Sequence, residues 1–332
     1  MRIAILGSGA WGTALAQHGA STHAVRLWSR DPARADALTR DRQNRRYLPG
    51  VPLAAGIESV SDLRDTLAWV SVPRGLLVIA STVAGLRPLL QQMSDAAVEV
   101  PALLWLCKGM ERESGLLPHQ VVEQVLGPVR CGVLSGPSFA QEVAAGLPVA
   151  LTAASAQAEV CELAIQAFHH GAARIYGSDD VVGVEVGGAL KNVMAIAAGI
   201  CDGLRLGHNA RAALITRGLA EIARFGVALG ARSETFTGLA GLGDLVLTCT
   251  GDLSRNRRVG LGLAGGSSLS QIVQELGHVA EGVACAGVVD ARARALGVDL
   301  PIVSAVLTVL EGRAAPREAL QVLLAREPRR ER

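Results

Sequence analysis

The sequence predicts an α/β N-terminal domain with a doubly wound sheet, followed by an all-α C-terminal domain. Short apolar segments alternate with helical patterns over the first 180 residues, which is typical of a parallel sheet covered on both faces. A glycine-rich motif follows the first apolar segment directly, and strand signals stop after Asp180. We therefore expect domains at residues 1–180 and 181–325, with a charged tail at 326–332.

The predicted strands of the first domain are short apolar runs bounded by glycine, proline or charged residues. They are Arg2–Leu6, Ala24–Trp28, Leu67–Val72, Ala102–Cys107 and Cys131–Leu134. The helices predicted between them are Gly12–Gly19, Pro32–Arg42, Gly75–Gln92 and Pro118–Leu126. Val149–Thr152 and Arg174–Tyr176, on either side of a helix at Ala156–His170, are expected to extend the sheet.

The second domain shows helical periodicity only. Its predicted helices are Val181–Leu204, Asn209–Leu229, Ser254–Leu263, Ser270–Gln274, Cys285–Leu296, Pro301–Leu310 and Pro316–Leu324. The longest apolar stretch, Val186–Ile200, carries Lys191 and Asn192 in its middle. It is therefore a poor membrane span, and it is expected to be a buried helix whose two polar residues have a functional role.

Composition narrows the function classes. The formal charge of +2 gives no reason to expect a nucleic acid or an acidic membrane as a partner. Six scattered cysteines without CxxC or Cys/His spacing, and seven histidines without ligand spacing, predict no metal site and a reducing cytoplasm. The N-terminus lacks the pattern of a signal peptide.

The motif Gly7-Ser8-Gly9-Ala10-Trp11-Gly12 has the GxGxxG pattern of a dinucleotide-binding turn. Gly7 permits the tight turn, Gly9 lets the backbone approach a pyrophosphate, and Gly12 allows close helix–strand packing. The helix N-terminus then presents N–H groups to the phosphates. Because a strand precedes the motif and a helix follows it, a Rossmann-type NAD(P) site is predicted.

The end of the second strand bears on the choice of coenzyme. An NAD site usually has an acidic residue there for the ribose hydroxyls, whereas this sequence reads Ser29-Arg30-Asp31. Arg30 and the Ser29 hydroxyl suit a 2′-phosphate, and Asp31 is expected to cap the next helix. NADPH is therefore favoured and NADH remains possible, while the alternative for Arg30 is a surface cation. A nearby basic loop with Tyr47 either covers the nucleotide or is simply solvated.

Two segments of the first domain suit an anionic ligand. Lys108 follows a predicted strand, where a cation can meet a phosphate or a carbonyl oxygen. Ser138 follows the next strand and is expected to be the N-cap of a short helix.

Three segments of the second domain suit acid–base chemistry and phosphate binding. Lys191 and Asn192 lie in an apolar helix, where a lysine is costly unless partnered, and burial lowers the pKa of a lysine. Asp244 lies in another apolar segment and is a candidate partner for Lys191. The segment Ser254-Arg255-Asn256 suits a phosphate clamp at a helix start. The alternatives are a snorkelling lysine, a helix cap and a solvated basic face, respectively.

Several motifs in this order resemble the bacterial type of the NAD(P)-dependent glycerol-3-phosphate dehydrogenase family, over nearly the whole chain. They are Gly7–Gly12, Lys108-Gly109, Ser135–Ala140, Gly187–Asn192, Gly241–Leu245, Thr248–Thr250, Ser254–Asn256 and Glu281-Gly282. The departure from the family pattern is Ala10, where the family commonly has serine, so a hydroxyl is lost beside the coenzyme.

The resemblance implies a residue-by-residue assignment. Lys191 would donate the proton to the ketone oxygen, held by Asp244, with Asn192 and Thr248 supporting the site. The substrate-binding residues would be Lys108, Gly136, Ser138, Lys191, Asn192, Asp244, Thr248, Ser254, Arg255 and Asn256. The coenzyme-binding residues would be Gly7, Gly9, Ala10, Trp11, Gly12, Arg30, Tyr47, Lys108, Ala140, Arg255, Val279 and Glu281.

The implied reaction is the reduction of dihydroxyacetone phosphate to sn-glycerol 3-phosphate, which supplies glycerophospholipid synthesis. The expected partners are this small three-carbon phosphate and a second copy of the chain in a homodimer, with no nucleic acid and no integral membrane association. Two alternatives stay open. One is a related two-domain hydroxy-acid dehydrogenase, and the other is a non-catalytic NADP-binding sensor, which would not need Lys191 together with Asp244.

Overall fold

The computed structural model describes residues 1–277 and 280–325. It divides into two compact units. The first contains Met1–Lys108 and Leu116–Glu185, and the second contains Gly109–Gly115 and the described residues from Val186 onward. The sequence pattern predicts a division at residue 180, and nothing in it indicates that 109–115 group with the second unit. The predicted charged tail, 326–332, lies outside the described residues.

The first unit is built on one eight-stranded sheet. Its strands are β1 (Arg2–Leu6), β2 (Ala24–Trp28), β3 (Ile57–Val60), β4 (Leu76–Ile79), β5 (Leu103–Trp105), β6 (Cys131–Ser135), β7 (Val149–Ala154) and β8 (Ala173–Ser178). The spatial order is β3-β2-β1-β4-β5-β6-β7-β8. Neighbouring strands are parallel except β6 and β7, which are antiparallel. This is the doubly wound order of a Rossmann-type fold, so the predicted fold class is confirmed.

Seven helices accompany this sheet among the described residues. They are α1 (Ala10–Gly19), α2 (Pro32–Asp41), α3 (Leu63–Val70), α4 (Val83–Ala96), α5 (Pro118–Leu126), α6 (Ala140–Ala144) and α7 (Ala158–Phe168). Strands β4 and β5 are apolar and buried along their whole length, and β1 is completely buried from Ile3 to Leu6. Continuous burial of this kind follows from helices on both faces of a parallel sheet.

The prediction of a strand at Leu67–Val72 is wrong. The run belongs mostly to helix α3, which begins after Asp62, whose carboxylate accepts a hydrogen bond from the Asp65 N–H. Thr66, Leu67 and Val70 form its buried side, at the spacing of an amphipathic helix. The strand is β4 instead, a run of four buried apolar residues that the sequence analysis assigned to the start of a helix at Gly75. Strand β3 was also missed.

The second unit is helical throughout its described residues, as predicted. Helix α8 (Val181–Gly203) begins in the first unit and continues into the second. The later elements are α9 (Gly207–Ala228), a 3-10 segment at Ser233–Thr237, a π-helical turn at Leu239–Gly243, α10 (Asp244–Thr250), α11 (Arg255–Ala264), α12 (Leu269–Leu276), α13 (Glu281–Ala295), α14 (Pro301–Leu310) and α15 (Pro316–Leu324). Helix α10 and the π-helical turn were not predicted.

Helix α8 is long and apolar enough to cross a membrane, but it is a core helix of this protein. In its most apolar 18-residue window, 89% of the residues are buried inside the protein. Burial against other protein segments accounts for its apolar composition without a lipid environment.

The first turns of α8 carry a buried carboxylate, Glu185. It accepts hydrogen bonds from the Trp105 indole N–H at 2.9 Å and the His119 backbone N–H at 2.9 Å, and its other oxygen lies 2.5 Å from the His119 ring. Burial opposes a charge on His119, but the hydrogen bond and charge of Glu185 raise the pKa of its imidazole overall. These bonds join α8 to β5 and α5.

Glycines let three segments of the second unit approach each other closely. A Cβ added at Gly199 of α8 would lie 2.0 Å from the carbonyl oxygen of Arg257 on α11. A Cβ at Gly260 of α11 would lie 2.0 Å from the carbonyl oxygen of Ile196. At Gly187, the obstacle would be the Ala240 carbonyl oxygen in the π-helical turn, at 2.4 Å. Only glycine permits these backbone contacts, which bring α11 and the π-helical turn against α8.

Candidate functional site

The glycine-rich turn joins β1 to α1 as the motif predicts. Gly7 has φ of 129°, and a Cβ there would lie 2.5 Å from the Ala80 carbonyl oxygen. A Cβ at Gly12 would lie 2.0 Å from the Gly7 carbonyl oxygen. A Cβ at Gly9, by contrast, would meet no protein atom within 4 Å. Packing therefore requires Gly7 and Gly12, while Gly9 leaves open the space in front of the α1 N-terminus, where a pyrophosphate can approach the backbone.

The end of β2 is arranged only partly as expected. Asp31 caps α2, because its carboxylate accepts a hydrogen bond from the Ala33 N–H at 3.1 Å. Arg30 is exposed beside it. Ser29 is buried, and its hydroxyl is hydrogen-bonded to the hydroxyl of Ser8. The Ser29 hydroxyl therefore braces the glycine-rich turn, and this replaces the expectation that it faces a 2′-phosphate.

The loop that carries Tyr47 is attached to the glycine-rich turn. Buried Asn44 donates hydrogen bonds to the Ser8 carbonyl oxygen at 2.9 Å and to the Thr13 hydroxyl at 2.7 Å. Leu48 is completely buried and packs in a small cluster with Ala14. The loop is thus held at this edge of the sheet, and the burial of Asn44 could not be predicted from a run of polar residues.

The carboxyl ends of β5 and β6 bring together Lys108, Gly136 and Ser138. The Lys108 ammonium donates to the Gly136 carbonyl oxygen at 3.3 Å, and the Ser138 hydroxyl donates to the same oxygen at 3.0 Å. Gly136 has φ of 135°, a left-handed conformation that favours glycine. The prediction that Ser138 caps a helix is wrong, because Phe139 holds the N-cap position and Ala140 begins α6.

The second unit pairs Lys191 with Asp244. The Lys191 ammonium, on α8, donates to Asp244 Oδ1 at 2.5 Å and to the Thr248 hydroxyl at 3.0 Å. Thr248 itself donates to the Asp244 carbonyl oxygen at 2.6 Å. Lys191 is 8% exposed and Asp244 is completely buried. This pairing compensates the cost of burying both charges, and it excludes a snorkelling lysine and a simple helix cap.

A chain of amides extends from the neighbouring residue. Asn192 accepts a hydrogen bond from Asn256 Nδ2 at 2.9 Å and donates to Glu281 at 3.3 Å. Asn256 Oδ1 accepts from the Gly282 N–H at 3.0 Å. These bonds join α8, α11 and the start of α13, so the residues that the motifs singled out in three distant segments lie together in the second unit.

The start of α11 carries Ser254, Arg255 and Asn256, the residues for which phosphate binding is predicted. Ser254 is buried and is the N-cap, with its hydroxyl accepting from the Arg257 N–H at 3.3 Å. Arg255 is exposed in the first turn. Its neighbour Arg257 instead pairs with Asp202 of α8 at 2.8 Å. Val279, assigned to the coenzyme by resemblance, lies outside the described residues.

The cysteines and histidines of the described residues form neither a reactive thiol site nor a metal site. Five of the six cysteines are buried, and burial raises the pKa of the Cys249 and Cys285 thiols to about 12, so neither is a ready nucleophile. His18 stacks on His170 with ring centroids 4.1 Å apart. Within residues 1–277 and 280–325, no group of three or more His, Cys, Asp or Glu side chains is placed to hold a metal ion.

Two family models match this chain. Residues 2–161 match the NAD-dependent glycerol-3-phosphate dehydrogenase N-terminus, and residues 180–321 match the C-terminus of the same family. The glycerol-3-phosphate dehydrogenase [NAD(P)+] of Paucimonas lemoignei is 59% identical over 332 residues, covering 100% of this chain and 98% of its own. The enzyme of that name from Herminiimonas arsenicoxydans is 58% identical, covering 100% of this chain and 99% of its own.

The chain is also similar to a solved structure. The crystal structure of glycerol-3-phosphate dehydrogenase from Coxiella burnetii has a TM-score of 0.93 and 40% identity, covering 98% of this chain and 99% of that one. The chain belongs to the NAD-dependent glycerol-3-phosphate dehydrogenase family and is an oxidoreductase that uses a nicotinamide coenzyme.

Proposed function

We propose that the protein reduces dihydroxyacetone phosphate to sn-glycerol 3-phosphate, with Lys191 as the proton donor. When bound, the reduced nicotinamide supplies the hydride for the carbonyl carbon. Lys191 Nζ holds the proton that goes to the carbonyl oxygen, so the C=O bond becomes CH–OH. In the reverse direction, neutral Lys191 Nζ takes the hydroxyl proton.

The observation that carries the proposal is the buried contact between Lys191 and Asp244. The carboxylate and the Thr248 hydroxyl fix the position of Nζ, so little reorganisation is needed when negative charge develops on a substrate oxygen. A non-catalytic coenzyme sensor would not need such a pair. We further propose that no metal takes part, because the Lys191 proton neutralises the developing oxyanion.

Phosphate recognition is assigned to the start of α11. Arg255 is exposed there, and we propose that its guanidinium, together with Asn256, binds the substrate phosphate. Asn192 accepts a hydrogen bond from Asn256, Ser254 caps α11, and Thr248 accepts one from Lys191, and we propose that these three residues support the bound substrate. Lys108, Gly136 and Ser138 of the first unit are proposed to contact the substrate as well.

The coenzyme is assigned to the glycine-rich turn and its surroundings, with NADPH preferred over NADH. The residues fit this role, because Gly9 leaves the α1 N-terminus open and Asp31 is engaged as a helix cap. Ala10, Trp11 and Gly12 lie in the first turn of α1, and Arg30, Tyr47 and Lys108 are proposed to complete the site. The resemblance adds four further residues, and we propose that they also contact the coenzyme: Ala140, Arg255, Val279 and Glu281.

The cellular setting follows from the chemistry of the product. We propose that sn-glycerol 3-phosphate formed in the cytoplasm supplies glycerophospholipid synthesis. We also propose that the protein is a homodimer. Val322 and Leu324 of α15 are 68% and 75% exposed, which is apolar surface that a partner chain would cover. Sedimentation velocity at micromolar concentration tests the dimer.

The experiment compares substrates under one coenzyme. Oxidation of NADPH is followed by absorbance with dihydroxyacetone phosphate, with dihydroxyacetone, and with a three-carbon 2-oxo acid. Efficient turnover of the phosphate ester alone, inhibited competitively by inorganic phosphate, is the expected result. Turnover of the 2-oxo acid alone would identify a hydroxy-acid dehydrogenase, and NADPH binding without turnover of any compound would identify a sensor.

A further inference from the structure

Two arginines of the first unit gather on one aromatic ring at the carboxyl end of β2. The guanidinium carbon of Arg34, in the first turn of α2, lies 4.8 Å from the centroid of the Tyr47 ring. The guanidinium carbon of Arg46 lies 5.3 Å from the same centroid. Tyr47 therefore orients two cations, Arg34 of α2 and Arg46 of the basic loop.

This cluster is fixed beside the predicted pyrophosphate site. Asn44 binds the glycine-rich turn through Ser8 and α1 through Thr13, and it accepts a hydrogen bond from the Tyr47 N–H at 3.3 Å. Arg34 lies four residues after Arg30, on the far side of the Asp31 cap. Both arginines thus stand where the adenosine ribose of a dinucleotide reaches in this fold, beyond the end of β2.

The carboxylates near the cluster are engaged elsewhere. Asp41 pairs with Arg40 at 3.1 Å and with Arg45 at 3.4 Å, while Asp31 caps α2. Among the described residues, no carboxylate lies within ion-pair distance of Arg30, Arg34 or Arg46. Three cations without a carboxylate partner repel each other, so a multiply charged anion bound to them would be stabilised.

We propose that Arg34 and Arg46, oriented by Tyr47, recognise the 2′-phosphate of the coenzyme and set the preference for NADPH over NADH. The inference rests on the proposed coenzyme site and adds two specificity-determining residues to Arg30. A phosphate with two negative charges accepts hydrogen bonds from both guanidinium groups. A 2′-hydroxyl offers no such charge, and Asp31, the carboxylate next to Arg30, already accepts a hydrogen bond from the Ala33 N–H.

The test measures binding of coenzyme fragments, which is independent of turnover. Titration calorimetry compares 2′,5′-ADP with 5′-ADP for the wild type, Arg34→Ala, Arg46→Ala and the double variant. The matched control is Arg40→Ala, an exposed arginine of the same helix that is paired with Asp41. Thermal unfolding confirms that each variant is folded.

The expected loss of 2′,5′-ADP affinity is about tenfold for each arginine, with 5′-ADP affinity nearly unchanged. Tyr47→Phe keeps the ring and the preference, whereas Tyr47→Ala loses part of it. Equal losses for both fragments, or no loss in the double variant, would overturn the inference. If the wild type reduces dihydroxyacetone phosphate but binds both fragments equally, the inference fails and the proposed function stands. If 2′,5′-ADP binding depends on Arg34 without any turnover, the proposed function fails instead.

Discussion

The burial of the Asp244 carboxylate depends on its ion pair with Lys191. This carboxylate is completely buried against the Lys191 ammonium. In Asp244→Asn the lysine keeps its charge but loses the carboxylate, and removing one partner of a buried pair costs about 3–5 kcal/mol. We expect a lower midpoint of thermal unfolding and a kcat reduced by about 100-fold. A variant with wild-type kcat and stability would show that the pair is dispensable.

Arg255 provides a test of phosphate binding. If its guanidinium binds the phosphate of the substrate, Arg255→Met raises the KM for dihydroxyacetone phosphate by about 10- to 100-fold with a smaller change in kcat. Arg258→Met is the control, because Arg258 is also exposed on α11 and its side chain donates to the Asp252 carbonyl oxygen at 3.1 Å. The measurement is the steady-state kinetics of both variants, and equal KM values for dihydroxyacetone phosphate in the two variants would contradict the assignment.

At the scale of single residues, the pairing of buried charged side chains could be predicted from the sequence, whereas the hydrogen bonds of serine hydroxyls could not. A lysine and an aspartate in apolar segments need partners wherever the chain buries them, so Lys191 and Asp244 could be paired from the sequence. Ser29 and Ser138 have short side chains with several local acceptors of similar energy. Their actual partners, Ser8 and Gly136, depend on the folded backbone and could not be predicted.

The contact of α8 with α11 depends on glycine on both helices, at Gly199 and at Gly260. In Gly199→Ala, the new Cβ would lie 2.0 Å from the Arg257 carbonyl oxygen, so the two helices must separate. We expect a loss of about 3 kcal/mol or more in the free energy of unfolding, together with lower activity, since α11 carries Ser254 and Asn256. Gly287→Ala on α13 is the control, because its Cβ would meet only a side-chain atom of Leu307, at 3.7 Å.

The measurement is thermal and denaturant unfolding of both alanine variants. Gly287→Ala is expected to be neutral or slightly stabilising, since alanine favours a helix over glycine. Equal stability of the two variants would show that α8 and α11 do not require close approach.

Helix α14 begins on a buried carboxylate that gives the protein a pH-dependent stability. Glu221 of α9 accepts hydrogen bonds from the N–H groups of Ile302 at 2.8 Å and Val303 at 3.3 Å. Burial raises the pKa of this carboxyl from 4.5 to about 7, although both hydrogen bonds oppose the rise. The folded protein therefore holds this proton over an interval in which the unfolded chain has lost it, so the contribution of Glu221 to the free energy of unfolding falls as the pH rises from about 4.5 to about 7.

Glu221→Gln removes this titration and keeps a side-chain oxygen as acceptor. We expect the wild type to lose stability relative to the variant by up to about 3 kcal/mol over that interval, as followed by denaturant unfolding at several pH values. Glu221→Ala, which leaves both N–H groups without their acceptor, should be less stable than Glu221→Gln throughout. A wild-type and Gln pair with the same pH dependence would contradict this explanation.

At the scale of elements, the length and periodicity of the apolar pattern explain which helices and strands were predicted correctly. Long helices such as α8 and α9 show their pattern over many turns, and the glycine-rich turn fixed the positions of β1 and α1 in the sequence. The segment Leu63–Ile79 was misread because short apolar runs are compatible with both a helix and a strand. Helix α10 was missed because it is only seven residues long and follows a π-helical turn.

At the scale of the whole molecule, the fold classes of the two halves of the chain could be predicted, but the grouping of segments could not. Alternation of strands and helices up to Asp180, followed by helices alone, predicts the two fold classes without any distance information. The assignment of Gly109–Gly115 to the second unit depends on contacts far apart in the sequence. Nothing in the local pattern of those residues indicates such contacts.

The central claim is that Lys191 donates the proton in the reduction of dihydroxyacetone phosphate, and its most direct test is turnover by Lys191→Met. NADPH oxidation is measured beside the wild type, with NADPH affinity and thermal unfolding determined for both, and Lys191→Arg serves as a variant that keeps the buried charge pair. We predict a kcat lower by about 10²–10⁴-fold in Lys191→Met with NADPH affinity retained. A folded Lys191→Met protein that turns over at nearly the wild-type rate would contradict the claim.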